Sequence, residues 1–184
     1  MNNLPDHAFL SPSKVHWINY DLDKLKRVYE GYKRTIEGTR IHEFAEHCIN
    51  LGVYLQSDGQ ALSSFVNDAL DLNMDSEVHL YYSQFVFGKV DAMAYKNKTL
   101  YIFDLKTGRG KPKYSQLDIY AALFCLSSKK HPEEITIICR VYQGDDVVEW
   151  SPEPGEIIRI MNVIIEASEF LEFLEAEEKT KWMD

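Results

Sequence analysis

A chain of 184 residues with 45% hydrophobic side chains can bury one sizeable core, and its length favours a single domain over residues 1–184. The formal net charge of −9 argues against a protein that simply coats nucleic acid. The opening MNNLPDHAFLSPSK has no apolar h-region and no stretch approaches membrane-spanning length, so no membrane association is expected. Three cysteines without C-x-x-C spacing suit a reducing compartment, and the expected location is cytoplasmic.

Apolar periodicity predicts helices at about Leu22–Glu37, Thr39–Leu51 and Asp58–Leu72, then strands at Val78–Phe87, Lys89–Tyr95 and Thr99–Leu105. Lys96-Asn97-Lys98 is a short polar turn that makes the last two strands an antiparallel hairpin. A helix over Tyr114–Ser127 sets Leu117, Tyr120, Ala121 and Phe124 on one face. Strands at Ile135–Gln143 and Val147–Trp150 flank the turn Gly144-Asp145-Asp146. Pro152 and Pro154 then break the chain before a helix at Gly155–Lys179, expected to pack the face carrying Ile157, Ile160, Ile164, Phe170, Leu171 and Leu174 and to leave its acidic face solvated. The order predicts an α/β fold with a central mixed sheet flanked by helices.

Asp91, Asp104 and Lys106 fall on the predicted hairpin, and side-chain alternation points Asp104 and Lys106 to one face. Two acids and a lysine at the ends of largely buried strands are costly unless compensated, either by a structural ion pair or by a divalent cation. Helical spacing adds two pairs: His42 with Glu46, and Gln116 with Tyr120, each four apart on one face. Taken singly, each pair reads as ordinary surface or packing residues.

In order, these motifs are Gly38 and His42 on a helix, Gly88 and Asp91 on a strand, Asp104-x-Lys106-Thr107-Gly108 on the next, then Gln116 and Tyr120 on a helix. The series resembles the PD-(D/E)XK nuclease superfamily, and more closely its RecB-type branch, which includes viral and mitochondrial DNA exonucleases. HAFLSPSKVHWI with GTRIHEFAEH also looks like a family of phage-borne proteins bearing this signature. The resemblance implies an αβββαβ core with extra helices at both ends. It implies a metal-dependent exonuclease acting on DNA ends in phage-type recombination, replication or repair, in the host cytoplasm if phage-encoded.

On the same resemblance, Asp91, Asp104, Lys106, Gln116 and Tyr120 are catalytic. Metal ligands would be His42, Asp91, Asp104 and the Leu105 backbone carbonyl, with Glu46 reaching the ion directly or through water. Carboxylate oxygens suit Mg²⁺ or Mn²⁺, and an imidazole tilts the choice toward Mn²⁺. Some RecB-type relatives hold an iron–sulfur cluster with four cysteines. This chain has only Cys48, Cys125 and Cys139, so no cluster is expected.

Charge is unevenly spread. Lys24, Lys26, Arg27, Lys33, Arg34 and Arg40 crowd an early helical region, whereas Glu166, Glu169, Glu172, Glu175, Glu177 and Glu178 fill the last helix. Arg40, Arg109, Lys111 and Lys113 are candidate phosphate contacts, with a solvated loop as the alternative for the last three. The expected partner is DNA as single- or double-stranded ends, with a homo-oligomer or a recombination or replication protein also open. Rival functions are a structure-specific endonuclease of the same superfamily and a non-catalytic DNA-binding module.

Overall fold

The computed structural model describes residues 8–181, apart from the side chains of residues 179–181. Two compact units divide the chain, Met1–Ile41 and His42–Asp184. A short 3₁₀ turn at Val15–Asn19 precedes α1, Leu22–Leu51, a single helix of 30 residues. The break expected between Glu37 and Thr39 is absent. A glycine inside a helix costs only about 1 kcal/mol relative to alanine, so Gly38 does not end this one.

In the second unit α2, Ala61–Asp71, leads into β1, Asp75–Ser83, and β2, Val86–Lys96. The sequence had placed Gln84 and Phe85 inside a strand; they form the turn between these two, which no Gly or Pro announces. β3, Thr99–Lys106, follows through Asn97 and Lys98, both at positive φ (49° and 62°). That backbone matches the twist of a two-residue hairpin. α3, Ser115–Ser128, crosses to β4, Thr136–Gln143. β5, Asp146–Trp150, and α4, Pro154–Lys181, complete the chain. Phe170, Leu171 and Leu174, expected on the packed face of α4, are instead exposed, at 60%, 38% and 37%.

The sheet runs β1-β2-β3-β4-β5, antiparallel except for the parallel β3–β4 pair. The fold is therefore α/β with a five-stranded mixed sheet. The parallel pair needs a crossover, and α3 supplies it. Leu100, Ile102, Cys139 and Val141 face α3 and α4, meeting Leu117, Ala121, Ile157 and Ile160 in one apolar cluster. Phe103 and Tyr142 lie on the opposite face, where Tyr142 meets Phe65 of α2 at 5.5 Å between ring centroids. Fully burying each large apolar side chain contributes about 1.5–3 kcal/mol. Among the described residues no helix is long and apolar enough to cross a membrane.

Candidate functional site

Asp104 sits near the C-terminal end of β3, on the face that packs against α3. Strand alternation places Ile102, Asp104 and Lys106 together on that face. The Asp104 side chain is nearly inaccessible, at 6% exposure. Lys106 Nζ lies 2.9 Å from Oδ1, to which it donates, and 2.8 Å from Oδ2. The angle to Oδ2 does not meet hydrogen-bond geometry, so that buried oxygen has no hydrogen-bond partner. Burial first, and the charge of Asp91 second, push the Asp104 carboxyl above its usual range, with Lys106 opposing. A buried acid raised in this way gains from an added positive charge.

Lys106 is held from two sides. It donates to Asp104 and to Gln116 Oε1 at 3.1 Å, and Gln116 Nε2 donates to the Tyr120 hydroxyl at 3.1 Å. Gln116 and Tyr120 stand one helical turn apart on α3, so the two strand residues and the two helix residues form one hydrogen-bonded line. Tyr120 in turn lies over Gly88 of β2, where a Cβ would fall 2.7 Å from its Cε1. A strand glycine often marks such a close approach.

Asp91 is fixed by the neighbouring strand, its Oδ2 accepting from the Leu105 backbone N–H at 2.8 Å. Extending the β2–β3 register one step beyond its last pair, Ala92↔Phe103, sets Asp91 opposite Asp104. The β1–β2 register sets Asp91 opposite Glu77 in the same way, between the pairs Ser76↔Ala92 and Val78↔Val90. Glu77 has a φ of 54°, uncommon for a residue with a side chain, and the ladder misses a pair there. Three carboxylates thus lie side by side across β1, β2 and β3.

His42 of α1 closes the group, its Nδ1 lying 3.5 Å from Asp91 Oδ1. Its interaction with Asp91 raises the imidazole pKa above the ordinary value against the opposing effect of burial. One donor atom each from His42, Glu77 and Asp91 lies within 4.8 Å of the others, close enough to hold a metal ion. Lys89 reaches Glu77 as a further counter-charge. Nitrogen plus carboxylate oxygens is a donor set for a divalent cation. The buried Asp104 carboxylate beside it is ion-paired to Lys106 at 2.8 Å.

The structure thus gathers His42, Asp91, Asp104, Lys106, Gln116 and Tyr120. It places neither Glu46 nor Asp104 in the three-donor group, and ties Leu105 to Asp91 through its amide. Glu77 joins the group unanticipated by the sequence, since its predicted strand began one residue later. Arg109, Lys111 and Lys113 lie exposed in the β3–α3 loop, which Gln143 anchors by donating to the carbonyls of Gly108 and Gly110. Arg40 is exposed and belongs to the first unit. The three cysteines are buried and free, and burial pushes the Cys125 thiol up to about 11. No protein-family model matches the chain, and comparison with curated proteins gives no match.

Proposed function

We propose that this chain is a divalent-metal-dependent DNA exonuclease with a PD-(D/E)XK core of the RecB type. The observation that carries the reading is the continuous line Asp104–Lys106–Gln116–Tyr120 running beside the His42–Glu77–Asp91 donors. A lone structural ion pair does not need an amide and a phenol aligned behind its lysine.

His42, Asp91 and Asp104 would hold the cation, with Glu77 as a fourth ligand; Mn²⁺ or Mg²⁺ is the expected metal. When bound, the ion would acidify water and stabilise the charge that develops on the phosphodiester. The protein's own groups do the rest. Gln116 and Asp104 fix the Lys106 ammonium, a preorganised positive charge for the pentavalent phosphate. Because the Tyr120 hydroxyl accepts from Gln116, its own proton is free to be donated to a phosphate oxygen. Arg109, Lys111 and Lys113 would contact phosphates outside the reacting one. The ends-only preference, and a place in phage-type recombination or replication, rest on the resemblance in motif order.

The test is cleavage of end-labelled linear DNA beside covalently closed circles, in Mn²⁺, Mg²⁺ or EDTA. Metal-dependent loss of linear DNA with intact circles is expected, abolished in Asp104→Ala and Lys106→Ala. Cut circles would make it an endonuclease. No cleavage under any condition, or full activity in either variant, would overturn the reading.

A further inference from the structure

The first unit has features the nuclease reading does not use. It holds seven Lys and Arg against five Asp and Glu, so it carries +2 and leaves −11 on the rest of a chain whose total is −9. Three of its aromatic residues are gathered, two of them open to solvent. Phe9 meets Tyr29 edge-on at 5.2 Å and Tyr32 at 4.9 Å, while Tyr29 and Tyr32 are 47% and 39% exposed. Tyr29 and Tyr32 are three apart on α1, which places them on one helix face.

A cation stands against one of these rings, and another against Tyr20 nearby in the sequence. Lys33 Nζ lies 5.9 Å from the Tyr29 ring centroid, and Lys24 Nζ lies 4.3 Å from that of Tyr20. Beside the cluster is an open hollow of about 430 Å³, walled by Phe9, Leu10, Leu22, Leu25, Lys26 and Tyr29. The hollow is lined almost wholly by apolar surface, with a lysine among its walls. Two exposed helix rings thus meet a third, with an ammonium group against one of them.

We propose that this face binds single-stranded DNA, with unpaired bases stacking on Tyr29, Tyr32 and the hollow while Lys24, Lys26 and Lys33 take the phosphates. The inference deepens the nuclease reading, on which it rests, by naming the form of its substrate. Stacking platforms combined with local positive charge recognise strands without reading sequence, because every base has a π-face. A duplex hides those faces in its own stack, so the surface discriminates against it. The charge contrast within the chain argues the same way, since −11 elsewhere repels a polyanion and +2 here does not. An acidic protein segment would satisfy the lysines but would leave the rings unused.

Binding is measured on the full chain carrying Asp104→Ala, in EDTA, with fluorescein-labelled dT20 and a matched duplex. Single-strand affinity should exceed duplex affinity by about tenfold or more, and Tyr29→Ala/Tyr32→Ala should remove that margin. Tyr29→Phe/Tyr32→Phe should keep it, because stacking needs the ring and not the hydroxyl. Lys24→Glu/Lys26→Glu should flatten the dependence of log affinity on log salt, and serves as the second readout if the alanine pair fails to fold. Unchanged single-strand affinity in the folded alanine pair overturns the surface. So does a shift in sedimentation mass with binding intact, which would make the face a contact between copies. Cleavage by the wild-type chain is scored separately. Cleavage with no aromatic dependence sinks this inference alone, whereas aromatic-dependent binding without cleavage sinks the nuclease reading alone.

Discussion

Gly88→Ala tests the packing that aligns the candidate site, independently of any activity. The added Cβ would lie 2.7 Å from Tyr120 Cε1 and 3.6 Å from both Cδ1 and Cζ. Carbon atoms rest about 3.5–4.0 Å apart, so the overlap is about 1 Å and the ring must tilt away. Overpacking of this kind costs about 1–3 kcal/mol. Loss of the 3.1 Å bond from Gln116 to the hydroxyl adds a further contribution, about 0.5–1.5 kcal/mol for a typical hydrogen bond. Alanine's lower backbone entropy in a strand returns about 0.5–1 kcal/mol. The expected net loss is about 2 kcal/mol, at about 2–4 °C of Tm per kcal/mol for a chain of this size. The assay is urea unfolding of Gly88→Ala in the wild-type and Tyr120→Ala backgrounds. The penalty should vanish when Tyr120 is absent, a coupling expected only for groups in contact. An equal penalty in both backgrounds would refute the reasoning.

Asp104→Asn should raise the Tm of the metal-free protein. The carboxyl pKa is raised in the fold, so stability falls as pH climbs from the unfolded value of 3.8 toward the folded one, and an amide removes that loss. The same variant should lose stabilisation by Mn²⁺, and a lower metal-free Tm would count against the electrostatic account. For His42 the sign is the same, and the window lies at higher pH. A raised imidazole pKa contributes stability that is fully present below 6.5 and lost as pH rises through the folded value. Protons should therefore compete with Mn²⁺ at higher pH than for an ordinary histidine, seen as a Mn²⁺-induced Tm shift that fades on acidification; in His42→Ala the residual shift should lose this dependence. Glu77→Gln should weaken Mn²⁺ binding by about tenfold by calorimetry, comparable to losing a group that supports a metal site. Wild-type affinity would remove Glu77 from the ligand set.

Much of the fold was legible because its signals are local. Asn97 and Lys98 form the polar turn the sequence suggested, and alternation correctly put Asp104 and Lys106 on one face. The helical pair Gln116 and Tyr120 met as their spacing of four requires. What failed was local too, where a residue's usual preference lost to its surroundings. Gly38 is a helix breaker by propensity, yet α1 continues through it to Leu51. Gln84 and Phe85 favour a strand by composition, yet they turn, with the Ser83 hydroxyl accepting from the Phe85 amide at 3.3 Å. Ser83 also meets Ser168 of α4 at 2.6 Å in a buried contact, so tertiary structure holds that corner.

The missing residue, Glu77, shows where reading along the chain stops. Spacing within one element can place Asp104 with Lys106, but Glu77 meets Asp91 only through the register of β1 on β2. That register is reached through the Gln84–Phe85 turn, which carries no turn-forming residue, and through a shift in pairing between Tyr81 and Ser83. A one-residue slip would move every β1 side chain to the other face and leave Asp91 without Glu77. The backbone at Glu77 adds a second barrier: positive φ in a glutamate costs of order 1–3 kcal/mol and is not what its propensity favours. Such strain persists where surrounding contacts over-determine it, and it clusters at functional sites. Here β1 pairs on both sides of Glu77, through Ser76↔Ala92 and Val78↔Val90, while Lys89 neutralises its carboxylate. The flanking pairs therefore hold the acid opposite Asp91.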